Sequence, residues 1–141
     1  MTSDNLSVRK RNGRGKMPLD IEKIHSMVGH ATENITGVSA SHVEMNSGIQ
    51  FFDGISTEDI QQILIKSAND LISLDAPNYQ FVAARLLLFS LRKAVYNGHP
   101  DGHPPLLEHG EKCVKRKVYD ASILEKYTEQ EWEKLSSYMD H

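Results

Sequence analysis

Arg9, Lys10, Arg11, Arg14 and Lys16 crowd five cations into the stretch 9–16 of a 141-residue chain whose formal net charge is −3. Basicity this local suits a small anion better than a long polyanion, which needs phosphate contacts spread along a face. Three readings of the patch stand side by side. It is a solvated charged edge that discourages strand-to-strand pairing, a phosphate site for a nucleotide, or a nucleic-acid contact. The last ranks third, because no aromatic residue interleaves the charges and the rest of the chain is acidic.

Other chemistries are thinly represented. Gly13 to Met17 contains a Gly-Lys pair but lacks the spacer and the following Ser or Thr of a Walker A loop. The chain has no GxGxxG, GxSxG or HExxH motif. Among seven histidines, His99, His103 and His109 cluster around one loop, without an acidic or thiol ligand at a telling interval, so no metal is expected. Cys113 is the single cysteine. That excludes an internal disulfide, an all-cysteine zinc site and a dithiol redox pair, and Cys113 reads as a half-buried structural thiol.

The elements that must position the cations follow from pattern. Leu6 to Arg11 has strand character and Asn12-Gly13 is a tight-turn signal, so a β-hairpin opens the chain. Asp20 caps a first helix bearing Ile21, Ile24, Met27, Val28 and Ala31, which ends near Gly37. Ser41 is expected to cap a second helix carrying Val43 and Ile49 and ending near Asp53-Gly54. Ser56 and Thr57, followed by Glu58 and Asp59, start a third helix buried through Ile60, Ile63, Leu64, Ser67, Ala68 and Leu71. Pro77 suits the first turn of a fourth, predicted to be the most buried because 79–95 is apolar on most sides. Residues 97–105 are a Gly/Pro break. Three shorter helices follow, over 106–115, 121–127 and 128–139. The last has capping-box spacing at Thr128 and Glu131 and an apolar stripe of Trp132, Leu135 and Met139. With 39% hydrophobic and 25% charged residues, the chain supports one globular domain with an extension. No apolar run approaches the ~20 residues of a membrane span, and the polar, basic start is unlike a secretory signal. Cytoplasmic residence and no membrane partner are the expectation.

The succession VRKRNG at 8–13, LDIEKIH at 19–25, IQFFDGISTEDI at 49–60, IKSANDLIS at 65–73, DAPNYQFVAARLLLFSLRK at 75–93 and VYDASILEKYTEQEW at 118–132 resembles the N-terminal ATP-cone region of the large chain of class I ribonucleotide reductases, bacterial and phage type. The resemblance implies an α+β, mainly α fold. Residues 1–98 would form a four-helix bundle covered by a small β-sheet, and 99–141 a helical connector that in relatives leads into the catalytic barrel. It implies an overall activity site taking ATP or dATP as allosteric effector, with Mg²⁺ arriving on the triphosphate and no redox cofactor. Partners would be the remaining large chain and the small radical-bearing chain, with no nucleic acid.

Carried over by matching position, Val8, Lys10 and Arg11 line the nucleotide, with the two cations facing phosphates. Asp20, Lys23 and Ile24 lie near base and phosphates, Thr57 is a helix-start hydroxyl, and Lys93 is a phosphate lysine. Many relatives carry a histidine where this chain has Gln61, which hydrogen-bonds but brings no charge. Lys16 and Met17 fall near a position that is acidic in relatives. Each residue also has a plain alternative: Asp20 and Thr57 as helix caps, Ile24 as core, Lys23 and Lys93 as solvated charges. The family's radical chemistry consumes a cysteine pair, so with one cysteine these 141 residues are expected to be a regulatory piece, inactive alone. A degenerate cone kept as a structural or subunit-interaction module is the alternative. A transcriptional regulator joining a cone to a zinc ribbon would need paired CxxC motifs, which the sequence lacks.

Overall fold

The computed structural model describes residues 6–10, 15–97 and 102–139. The expected Asn12-Gly13 turn, Arg11, Arg14 and His99 lie outside the described residues. The chain divides into two compact units, Met1–Leu91 and Arg92–His141.

In the first unit, β1 (Ser7–Arg9) and β2 (Lys16–Pro18) pair antiparallel, Val8 opposite Met17. The antiparallel pairing expected of a hairpin is present. A third strand, β3 (Ile55–Ser56), pairs in parallel with β1 and makes β1 the central strand of a three-stranded sheet. Pattern did not announce β3, because two residues carry no alternation to detect.

Helix α1 (Ile21–Thr32) starts at Asp20, whose carboxylate accepts from the Lys23 amide at 3.3 Å. Its C-terminal end is satisfied from α4: the Arg85 guanidinium donates to the carbonyls of Glu33 and Ala31. Helix α2 (Ala40–Gly48) corrects an expectation: Ser41 lies inside it, and Ser39 holds the N-cap position without a side-chain cap. The Ser39 amide instead donates to the Tyr79 hydroxyl at 3.0 Å, a tertiary bond that starts the helix earlier. Gly48 ends α2 well before Asp53-Gly54. Helix α3 (Thr57–Asp70) is capped by Ser56, which accepts from the Asp59 amide at 3.0 Å.

Helix α4 (Tyr79–Val95) begins two residues after Pro77, whose carbonyl accepts from the Gln80 amide in the preceding turn. It is not the most buried helix. Tyr79, Val82 and Leu86 are buried, whereas Phe81, Leu87, Leu88, Leu91 and Val95 are exposed; α3 buries five residues. Apolar composition set the expectation, but only one face of α4 meets the core. That core joins all four helices to the sheet through Val8, Val28, Ala31, Val43, Ile55, Ile60, Leu64, Ala68, Val82 and Leu86. Burying each larger aliphatic side chain contributes about 1.5–3 kcal/mol. The unit is thus an α+β fold, a helical bundle with a small sheet.

The second unit holds α5 (Leu106–Lys115), α6 (Ser122–Glu125) and α7 (Glu129–Ser137). Thr128 and Glu131 form the predicted capping box. Of the expected stripe only Trp132 is buried, packed near Gly110 of α5, while Leu135 and Met139 are exposed. No described helix is long and apolar enough to cross a membrane.

Candidate nucleotide site

The sheet brings the basic strand to a helix start. Arg9 stands beside Ser56 in the parallel register of β1 with β3, so Lys10 leaves the sheet at the level of Thr57, the first residue of α3. Free backbone N–H groups and the positive end of the macrodipole favour an anion at a helix N-terminus. Lys10 is exposed and Thr57 half-buried, while Val8 is buried and its side chain belongs to the core. Val8 is paired on both sides, with Met17 of β2 and Ile55 of β3.

A second locus lies between α1 and α4. Lys23, Ser26, Met27, His30 and Phe89 line an open depression of about 510 Å³ with an apolar floor and a polar rim. Lys23 is exposed, with its ammonium 3.6 Å from Asp20. Asp20 thus serves as helix cap and ion-pair partner together. Ile24 is half-buried against the core. Gln61 is 5% exposed, and its amide nitrogen donates to the Leu86 carbonyl at 3.1 Å and to Met27 Sδ at 3.3 Å. Its donor end is engaged inside the bundle, directly behind the depression. Lys93 lies exposed in the last turn of α4, four positions beyond Phe89.

At the outer end of the sheet, Asp53 accepts from the amide and hydroxyl of Ser7. The Ser7 hydroxyl bond leads the causes that hold its carboxyl below the ordinary 3.8, followed by the Ser7 amide, with a smaller contribution from the Lys16 ammonium.

The model of the ATP cone domain matches residues 6–94. The chain belongs to the ATP-cone family. The chain is 45% identical over 136 residues to the ribonucleoside-diphosphate reductase subunit alpha of Haemophilus influenzae, covering 96% of this chain and 18% of that one. Identity is also 45% over 139 residues to ribonucleoside-diphosphate reductase 1 subunit alpha of Escherichia coli K12, covering 99% and 18%. The subunit alpha of Helicobacter pylori 26695 is 52% identical over 86 residues, 61% of this chain and 11% of that one. The chain spans about a fifth of the length of the Haemophilus and Escherichia relatives. As a member of the family, the cone is a nucleotide-binding regulatory domain.

Sequence reading missed three participants in this cone. His30 lies in none of the six segments and Phe89 carried no role within the segment 75–93, although 23, 26, 27 and 30 share one helical face, a spacing that marks the wall of the depression. Asp53 read only as half of a turn signal. Its role depends on Ser7, forty-six positions away.

Proposed function

We propose that this cone is the overall activity site of a ribonucleoside-diphosphate reductase large chain, binding ATP or dATP as allosteric effectors with Mg²⁺ carried on the triphosphate. The observation that carries the reading is the parallel pairing of β1 with β3, which sets Lys10 at the level of Thr57 and the start of α3. Lys10 and Arg11 hold phosphates, with Thr57 and the helix start supplying hydroxyl and backbone donors. Lys23 and Ile24 of α1 and Val8 of β1 border base and ribose. Asp20 fixes the start of α1 and Gln61 backs the site through Met27, while Lys93 is a phosphate lysine by the resemblance alone. The region 99–141 is a helical connector to the catalytic barrel, and the partners are the remaining large chain and the small radical-bearing chain of a cytoplasmic enzyme. The whole assembly would make deoxyribonucleotides for DNA synthesis, with the reaction carried outside these residues.

Calorimetric titration of the 141-residue chain with MgATP and MgdATP tests this. Micromolar binding of either supports a working cone, and the affinity ratio reads discrimination of the single hydroxyl. Binding of neither overturns the proposal in favour of a structural module.

A further inference from the structure

The hairpin that carries Lys10 is small. Strands of three residues form β1 and β2, and a two-stranded ribbon of that size is marginal alone. One side chain outside the hairpin reaches both strands. Asp53 sits in the turn between α2 and β3, and its Oδ1 accepts from the Ser7 amide at 2.9 Å and from the Ser7 hydroxyl. Its Oδ2 lies 4.0 Å from the Lys16 ammonium on β2. The next amide, of Gly54, donates to the Ser7 carbonyl at 2.9 Å. Both backbone groups of Ser7 are thus tied to this turn. Gly54 has φ +81°, a conformation that suits glycine, and a Cβ there would stand 3.8 Å from the Lys16 ammonium. The lysine lies across the turn.

We propose that Asp53 is a positioning residue for the nucleotide: by tying Ser7 and Lys16 to the β3 turn it fixes where β1 presents Lys10 to the phosphates. The inference rests on the nucleotide reading above. Asp53 acts through the hairpin and touches no ligand itself. The lowered carboxyl pKa is consistent with an ionised acceptor at neutral pH.

The sign of one effect separates positioning from charge. Removing an acid near a triphosphate strengthens binding if only Coulomb interaction matters. Loss of the tie weakens it. Titration of the full chain with MgATP is expected to show Asp53→Ala binding about tenfold more weakly, the upper range of a lost hydrogen-bonded group. In a Lys10→Ala background the same change has little further effect, because the residue whose place it sets is gone. Asp53→Asn keeps an acceptor for the Ser7 amide and retains most of the affinity. Amide hydrogen exchange without nucleotide provides the second readout: Asp53→Ala speeds exchange at Val8, Arg9 and Met17 and leaves α3 unchanged. Unchanged or tighter binding by Asp53→Ala overturns the proposal, as does an effect of equal size in the Lys10→Ala background. If the parent chain binds no nucleotide, the functional reading fails. Exchange then decides the tie by itself, with faster hairpin exchange supporting it and unchanged exchange overturning it.

Discussion

The side-chain amide of Gln61 in α3 donates to the backbone carbonyl of Leu86 in α4 at 3.1 Å, and both residues are buried. A polar side chain in the core is stable there because its donor is matched, and the bond fixes the register between two helices. Gln61→Leu preserves bulk and removes the bond. Leu86 lies mid-helix, so its carbonyl keeps a helical partner. The expected cost is about 1 kcal/mol, read as a lower urea midpoint with the slope unchanged. A midpoint at or above the parent value would show that the bond contributes nothing net.

Replacing both Lys10 and Arg11 by alanine is expected to weaken MgATP binding about tenfold or more, since hydrogen bonds to charged groups contribute roughly 1.5–3 kcal/mol each. Unchanged affinity by calorimetry would refute the phosphate assignment and return the basic strand to a solvated edge.

Asp53 gives the first unit an acid-sensitive contact. Its folded-state pKa is depressed below 3.8, chiefly by the Ser7 hydroxyl and amide. A depressed carboxylate contributes stability that is full above its unfolded pKa and disappears as pH falls through the folded value. The ties to Ser7 should therefore persist through neutral and mildly acid pH and loosen below the ordinary carboxylate range. Following the Ser7 and Gly54 amides by NMR from pH 7 to pH 2 checks this. An Asp53→Asn chain should lack the transition, and a titration at or above the ordinary value would contradict the geometry.

In the second unit, α7 starts on a side-chain cap, whereas α5 and α6 have none. Thr128 accepts from the Glu131 amide at 3.3 Å while the Glu131 carboxylate accepts from the Thr128 amide at 2.7 Å. Thr128→Ala should cost α7 about 0.5–2 kcal/mol. Faster amide exchange within 129–137, with α3 unaffected, is the expected result. Equal exchange would mean that the cap contributes nothing net to α7.

Much of this molecule was legible in its residues because the deciding interactions are local. Asp20, Ser56 and Thr128 each bond an amide three positions on, so cap and helix start are written in one short stretch. The hairpin followed from strand character ahead of a turn signal, and the family from the order of six segments. Apolar spacing found Leu64 and Ala68 in the core, because α3 has a distinct buried face. It failed on α4, where apolar residues surround the helix and only packing into the core selects Val82 and Leu86 over Leu87 and Leu88.

Tertiary structure decided the rest. The cationic stretch by itself allowed an edge, a phosphate site or a nucleic-acid contact; that Lys10 leaves the sheet at the level of the start of α3 follows only from the pairing of Arg9 with Ser56. Ser41 looked like a cap until Tyr79 took the Ser39 amide. Gln61 was a departure from relatives in the sequence and became a core hydrogen-bond donor once α4 was packed against it. Asp53 meets Ser7 only when α2 and β3 have returned the chain to β1. Short-range bonding and periodicity are properties of sequence neighbours; which distant groups meet is fixed by how the whole unit buries its apolar faces.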